Sequence, residues 1–383
     1  MNPTTLHLRL QRSADDMTTQ LAWSGQAPLS MRRISELELS GIRHVVDGCR
    51  QVLNRPGSPS LATAATTAAG IELFHLCLGP DWEEIRSQLP HGQTIILAVE
   101  SDSAELLHLP WEALQPPEGV PLGLNTRFAI HRRPLGMAPT NRCRALSPGP
   151  LRALFMVSAP KGMAWLSTSQ EQAAWQQMVA DPHDPSFPTI QPCLVENGQW
   201  EALHQAIQHH QPHVIHLAGP TLIRGTRGFF AFEEVDGRAD VRTPEEMVRE
   251  LLRFSGAGLV IVTGREPDKP PPMAACGALC HGIVASGEFA MALAWPETGQ
   301  APESRPFFQT LYRDLATGTT VDRALVNARC AIAATPADPG RPGWLLAALH
   351  SRGALPFLFH TGLQVNRQQL TTCNTMKYKE IDL

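Results

Sequence analysis

Apolar and polar residues follow one another differently in the first third of the chain and in the remainder. Apolar residues at every second position predict strands, and apolar residues three or four positions apart predict helices. In the first part these patterns predict strands at about 4–10 and 18–23, helices at about 30–53 and 61–78, and strands at about 93–99 and 128–132. This part is therefore expected to combine a hairpin with two helices and further strands.

Beyond residue 150 the predicted strands and helices alternate regularly. Strands are predicted at about 151–157, 189–195, 213–217, 229–235, 259–262 and 289–294. Helices are predicted at about 169–180, 200–209, 243–254, 273–286, 304–315 and 321–334. Such alternation predicts a mostly parallel sheet with helices on both faces, so we expect an α/β protein.

The same changes of pattern predict how the chain divides. Residues 1–136 are expected to form an N-terminal lobe, and residues 151–363 a second lobe. Residues 137–150 between them contain prolines, arginines and serines, which is typical of a linker. Residues 364–383 are polar and aperiodic, which predicts a flexible tail.

The loop after one predicted strand is expected to decide the chemistry. Residues 259–262 are four consecutive aliphatic residues, typical of a central parallel strand that is buried on both faces. Open α/β sheets place their functional residues in the loops that follow such strands. Here the loop begins with Thr263, Gly264 and Arg265, and it carries no nucleophile.

Composition excludes several classes of protein. The net charge is −4 and no block of lysine and arginine occurs, so a dedicated nucleic-acid binder is not expected. No apolar run reaches the roughly 18 residues that cross a bilayer, and the N-terminus lacks the pattern of a signal peptide. The eight cysteines have no paired spacing, which indicates reduced thiols and a cytoplasmic location.

Two groups of potential metal ligands occur in the sequence. They are His204, His209, His210 and His213, and the set Cys276, Cys280 and His281. The histidines flank a predicted helix end, and the cysteines lie four residues apart on a predicted helix without a second pair at zinc spacing. We therefore expect solvated or capping histidines, cysteines that pack in the core, and neither a metal nor another cofactor.

Several segments, taken in order, resemble the CHAT domain, a bacterial caspase- and separase-like peptidase family that is often associated with tetratricopeptide repeats. The similar segments are residues 70–74, 109–114 (Leu-Pro-Trp-Glu-Ala-Leu), 128–132, 212–219, 259–266, 287–296 and 308–318. The resemblance implies a caspase-like sheet in a two-lobe arrangement. Residues 1–136 would correspond to the pseudo-caspase part of the CHAT region, and residues 151–363 to the catalytic-type lobe.

The resemblance also implies a catalytic histidine and a nucleophilic cysteine at the ends of two neighbouring strands. In this sequence the histidine position is Pro220 and the cysteine position is Arg265. Proline has no titratable group and arginine stays protonated, so neither residue activates or supplies a thiolate. The leading hypothesis is a CHAT-like protein that has lost its cysteine-protease activity and serves as a protein-binding or regulatory module.

Two alternatives remain open in the sequence. One is an active cysteine endopeptidase with a displaced pair, His216 with Cys276 or Cys280, although a core role explains each of these residues as well. The other is an anion or nucleotide sensor in which Arg224, Arg227 and Arg265 hold the ligand, with Glu266 beside them. The family implies a protein partner, either a tetratricopeptide-repeat protein or another component of a bacterial defence or stress system.

Overall fold

The computed structural model describes residues 4–12, 16–54, 59–90, 93–137, 149–163, 167–180, 184, 186–264, 273–287, 289–334, 342–353 and 358. Most of the predicted linker and all of the predicted tail lie outside these residues, as do Arg265 and Glu266.

Fourteen strands and ten α-helices occur in this part of the chain. The strands are β1 Thr4–Arg12, β2 Asp16–Trp23, β3 Pro28–Ser35, β4 Ile95–Ser101, β5 Phe128–Pro134, β6 Leu151–Val157, β7 Ile190–Leu194, β8 Val214–Ala218, β9 Thr221–Arg224, β10 Arg227–Glu233, β11 Ala239–Arg242, β12 Leu259–Thr263, β13 Met291–Trp295 and β14 Ala348–Ser351. The helices are α1 Glu36–Asn54, α2 Pro59–Cys77, α3 Trp82–Gln88, α4 Ala104–Leu107, α5 Thr168–Val179, α6 Trp200–His210, α7 Pro244–Glu250, α8 Met273–Ala285, α9 Ser304–Ala316 and α10 Val321–Ala334.

Eleven of the described strands form one sheet, in the order β3-β2-β1-β4-β5-β14-β13-β12-β8-β6-β7. The pairs β1–β2, β2–β3 and β13–β14 are antiparallel, and the other seven are parallel. The remaining strands, β9 to β11, form a separate antiparallel sheet of three. The predicted α/β class with a mostly parallel sheet is confirmed.

The large sheet is continuous across the two predicted lobes. Strand β14 comes from the C-terminal part of the chain, yet it lies between β5 of the first part and β13 of the second. It runs parallel to β5, with His350 opposite Arg132, and antiparallel to β13. The exact lobe boundaries stay a prediction.

Helices cover both faces of the second half of the sheet, because the strand side chains alternate between two cores. Val214 and Ala218 of β8 pack with residues of α5, α9 and α10. Ile215 and Leu217 of the same strand pack with residues of α6, α7 and α8. Each fully buried aliphatic or aromatic side chain contributes about 1.5–3 kcal/mol. A third cluster lies between β1, β4 and β5 and the helices α1 and α2.

One predicted helix begins later than expected. Residues 28–35 form the edge strand β3, which pairs with β2, whereas the sequence pattern predicts a helix from residue 30. Helix α1 starts at Glu36, where the Ser35 backbone N–H donates to the Glu38 carboxylate at 2.8 Å. The spacing Ser-x-x-Glu, here Ser35 and Glu38, is a typical signal for the start of a helix.

The short strands β9 and β14 were also not predicted. Each has four residues, which is too short for periodicity to be read from the sequence. Among the described residues, no single helix combines the length and the apolar character needed to cross a bilayer.

Candidate active site

The two positions predicted for the family's catalytic residues, 220 and 265, come shortly after neighbouring strands in the sequence. Ala218 ends β8, Thr263 ends β12, and the two residues are paired across the parallel strands. The Gly219 N–H donates to the Thr263 carbonyl at 3.0 Å, and the Gly264 N–H donates to the Trp295 carbonyl at 3.1 Å. In the sequence, position 220 comes two residues after β8 and position 265 two residues after β12, and these two strands are neighbours in the sheet. Arg265 itself lies outside the described residues.

Close backbone contact explains the glycines at these two strand ends. A Cβ atom on Gly264 would lie 2.0 Å from the Gly219 oxygen. One on Gly219 would lie 2.8 Å from the Phe230 ring. Only glycine leaves room for such contacts, so the chain after β8 and the chain after β12 pack directly on each other.

Pro220, at the position predicted for the family's histidine, is buried. Its carbonyl accepts a hydrogen bond from the Ala231 N–H at 3.1 Å, which ties the end of β8 to β10. The next residue, Thr221, is fully buried, and its hydroxyl has no hydrogen-bond partner among the described residues. This position therefore offers no group that accepts a proton from a thiol.

His216 is held in a chain of hydrogen bonds on one face of the sheet. Trp175 Nε1 donates to the Tyr312 hydroxyl at 3.2 Å, and that hydroxyl lies 2.9 Å from His216 Nδ1. On the other side of the ring, Nε2 lies 3.2 Å from the Thr263 hydroxyl, which donates to the Leu217 carbonyl at 3.4 Å. One assignment satisfies the whole chain: Tyr312 donates to Nδ1, and Nε2–H donates to Thr263.

The surroundings of His216 keep its ring uncharged. The side chain is buried against Phe155 and Phe308, with ring centroids 5.0 Å away in each case. Burial lowers the pKa of His216 to about 3, and burial also raises the pKa of Tyr312 well above its ordinary value. Because both ring nitrogens are engaged within a core, the contacts favour a structural role for this histidine.

Cys276 and Cys280 lie on the opposite face of the sheet from His216. Both pack in the core with Val260 and Val262, whereas the aromatic neighbours of His216 belong to the other core. Cys276 Sγ donates to the Val262 carbonyl at 3.2 Å. Burial, together with the neighbouring Cys276, raises the pKa of the Cys280 thiol. The structure therefore does not bring His216 together with either cysteine.

The comparison with protein families agrees with this architecture. The sequence model of the CHAT domain family matches residues 67–357. The chain belongs to the CHAT domain family. Among solved structures, it is similar to the Arg-specific cysteine proteinase gingipain R, with a TM-score of 0.38 and 10% sequence identity, covering 84% of this chain and 77% of that chain. No curated protein sequence matches the chain significantly.

The two described arginines of the predicted anion site have partners within this CHAT domain. Arg224 and Arg227 are opposite each other across the β9–β10 hairpin. The Arg224 guanidinium lies 5.4 Å from the centroid of the Phe229 ring, and Arg227 forms an ion pair with Glu245 at 3.1 Å. A common site with Arg265 and Glu266 stays a prediction, since both residues are outside the described part of the chain.

The histidines near the end of α6 differ from one another. His209 and His210 occupy the last turn of the helix, as expected for capping residues. His213 is buried instead, and its Nδ1 accepts the Arg152 N–H at 3.0 Å, so the expectation of a solvated residue was wrong there. Burial and then Arg152 lower its pKa to about 4. Within the described ranges, no group of three or more histidine, cysteine or acidic residues could hold a metal ion.

The Leu-Pro-Trp-Glu segment of the CHAT domain packs between the two halves of the sheet, where Glu112 is the central polar residue. Glu112 is fully buried and accepts two hydrogen bonds from Arg132, at 2.6 and 2.7 Å, and one from Arg329 at 3.0 Å. Arg329 also donates to the Ala347 carbonyl at 2.8 Å. Burial opposes ionisation of Glu112, but the two arginines outweigh it and lower its pKa. The motif therefore connects β5, α10 and the segment before β14.

Proposed function

We propose that this CHAT domain has lost cysteine-protease activity and serves as a protein-binding or regulatory module. The observation that carries the proposal is the buried Pro220 at the family's histidine position, immediately after β8. A cysteine peptidase needs an imidazole within hydrogen-bond reach of its thiol, because a free thiol is only slightly ionised at neutral pH. Arg265 at the family's cysteine position supplies no thiol.

The contacts of the remaining candidates favour this proposal over a displaced catalytic pair. His216 is uncharged and hydrogen-bonded through both nitrogens, and it faces the core formed with α5 and α9. Cys276 and Cys280 face the core formed with α8, and burial disfavours the thiolate of Cys280. Joining the pair would require one of these side chains to pass through the sheet.

The partner of this module is proposed from the family alone. CHAT domains are often associated with tetratricopeptide repeats, so we infer a protein partner of that kind or another component of a bacterial defence or stress system. Eight cysteines without paired spacing favour the reducing cytoplasm. The proposal needs no cofactor.

The anion-sensor alternative has less support. Arg227 already neutralises Glu245, and Arg224 stacks on Phe229, so neither of these two guanidinium groups is held ready for an incoming anion. A phosphate or carboxylate ligand would have to compete with the existing ion pair. The described contacts therefore favour a protein surface over a small-anion site.

Peptide cleavage and thiol labelling test the loss of activity together. The full-length protein is incubated with a diverse peptide library, and separately with a peptidyl electrophile that alkylates catalytic thiols. We expect no cleavage and no stoichiometric labelling of any cysteine. Mass spectrometry of the peptide products and of the intact protein provides the measurement.

Cysteine variants distinguish catalysis from accidental alkylation. Cys193 is half-buried on β7, so Cys193→Ser controls for the reactivity of an ordinary accessible thiol. Stoichiometric labelling that disappears in Cys276→Ser or Cys280→Ser but persists in Cys193→Ser would reject the proposal. Cleavage that disappears in His216→Ala would reject it as well.

A further inference from the structure

The two halves of the large sheet meet at the pairing of β5 with β14, which we call the lobe joint. The described register of this pairing is a single residue pair, His350 opposite Arg132. The neighbouring pairings are longer: β4–β5 has seven paired residues and β13–β14 has four. The lobe joint is therefore the shortest pairing in the central part of the sheet.

Three imidazoles meet beside this joint, and we call His108, His281 and His350 the histidine cluster. His350 lies on β14, His281 on α8, and His108 directly after α4. The rings of His281 and His350 have centroids 6.0 Å apart at 66°. His108 lies against α8, since a Cβ atom on Gly277 would be 2.7 Å from its Nε2. The cluster therefore includes one residue from the first half of the chain and two from the second.

The cluster contains buried polar atoms that form no hydrogen bond. His350 is fully buried, and neither of its ring nitrogens has a partner within the described part of the chain. His281 Nδ1 is likewise buried without one. An imidazole that makes no hydrogen bond is tolerated in a core only while it is neutral, because a buried unpaired charge is far more unfavourable.

Positive charge already faces the cluster. Arg132 of β5 is the charged residue opposite His350. The other groups that face His350 are His281 from α8 and His108 from the segment after α4. Arg132 is paired with Glu112, but Glu112 is shared with Arg329, so this buried group of three carries a net positive charge. The paired residue of β13 is Ala292, which is uncharged.

We propose that the histidine cluster is an acid-sensitive switch, in which proton uptake by the imidazoles loosens the lobe joint. Each proton would add a positive charge next to Arg132, at the place where one residue pair connects the halves of the sheet. At neutral pH the uncharged rings pack and the sheet is continuous. On acidification β14 separates from β5, while the sheet within each half keeps its longer pairings.

The direction of the pH effect follows from proton linkage. Burial, then Arg132 and the other two histidines, lower the pKa of His350 well below its ordinary value, and burial lowers the pKa of His281. The folded state therefore binds fewer protons than the unfolded state below about pH 6.5. Stability is fully present above that pH and decreases as the pH falls.

Urea denaturation and hydrogen exchange of the full-length chain between pH 8 and pH 5 test the proposal. Below about pH 6.5, each histidine that protonates only on unfolding raises the unfolding constant about tenfold per pH unit. His350→Leu fills the site without a titratable group. The unfolding constant of this variant should therefore rise less steeply with acid, by the contribution of one histidine, while the contributions of His213 and His216 remain. His204→Gln, at a partly exposed position on α6, is the matched control and should keep the original dependence.

Hydrogen exchange locates the effect. At pH 5, after correction for intrinsic rates, peptides covering 128–134 and 348–351 should exchange at least tenfold faster relative to those covering 259–263, and His350→Leu should remove this difference. Unchanged pH dependence in His350→Leu, or uniform acceleration over all strands, would overturn the proposal. If His350→Leu does not fold, the same two measurements on His281→Gln decide, and an unaltered pH dependence there also overturns it.

Discussion

Four side chains between α5 and β12 form a hydrogen-bond chain with a definite direction, from Trp175 through Tyr312 and His216 to Thr263. Each of the first three side chains donates to the next, so the loss of one removes a hydrogen bond from its buried neighbours. The sequence places His216 on the predicted strand at 213–217, which the structure confirms, and leaves its role open between the core and catalysis. It could not identify Tyr312, because 96 residues separate the two in the chain.

His216→Ala should therefore destabilise the protein. We expect a loss of about 2–4 kcal/mol in the free energy of unfolding at pH 7.5, from the cavity and from one hydrogen bond lost at each of the Tyr312 and Thr263 hydroxyls. Because burial lowers the pKa of His216 to about 3, the wild-type protein loses this contribution as the pH falls below about 6.5, and the difference between the two proteins should shrink there. Urea unfolding measures both, with His209→Ala at the exposed end of α6 as control. A loss under about 1 kcal/mol would contradict this assignment.

Among the elements, those with strong local signals were predicted and those that depend on distant pairing were not. Helix α7 begins next to its predicted start at about residue 243, with Thr243 as N-cap and proline at the first helical position. Strand β3 lies where the sequence predicts helix from residue 30, because its apolar residues have no strict alternation; among the described strands it pairs with β2 alone. Strand β14 has four residues between partners that lie far from it in sequence. The pairings of β14 therefore cannot be recognised without the three-dimensional arrangement of the sheet.

The start of α7 gives a prediction at this scale. The Thr243 hydroxyl accepts the Glu246 N–H at 3.2 Å, and the Glu246 carboxylate accepts the Thr243 N–H at 2.8 Å. Thr243→Ala should lower the free energy of unfolding by about 1 kcal/mol, which is usual for a lost N-cap. Thr243→Ser keeps the hydroxyl and should recover most of the loss. Thermal denaturation of the two variants decides, and equal losses would show that the cap does not contribute.

At the scale of the whole molecule, sequence reasoning predicted two lobes, whereas one sheet and several buried polar contacts connect them. Ser351 of β14, His131 of β5 and Asp322 of α10 form one such contact, with both hydrogen bonds at 2.6 Å. Ser351 is completely buried, so this arrangement resembles a catalytic triad in its order but has no access to a substrate. Its role is to fix α10 against the lobe joint.

The second connection, around Glu112, should be the most sensitive to a single change. Glu112→Gln keeps the size of the side chain but removes the charge that compensates Arg132 and Arg329, both of which are almost completely buried. Leaving buried charges uncompensated typically costs about 3–5 kcal/mol, which is a large part of the stability of a domain. Glu84→Gln, at an exposed position on α3, provides the same chemical change without burial and should shift the urea midpoint little.

Because Glu112 holds groups from both halves of the sheet, the unfolding of Glu112→Gln should also become less cooperative, with a smaller urea dependence of the free energy of unfolding than in Glu84→Gln. Equal midpoints and equal urea dependence in the two variants would show that the halves of the sheet are held together without this carboxylate.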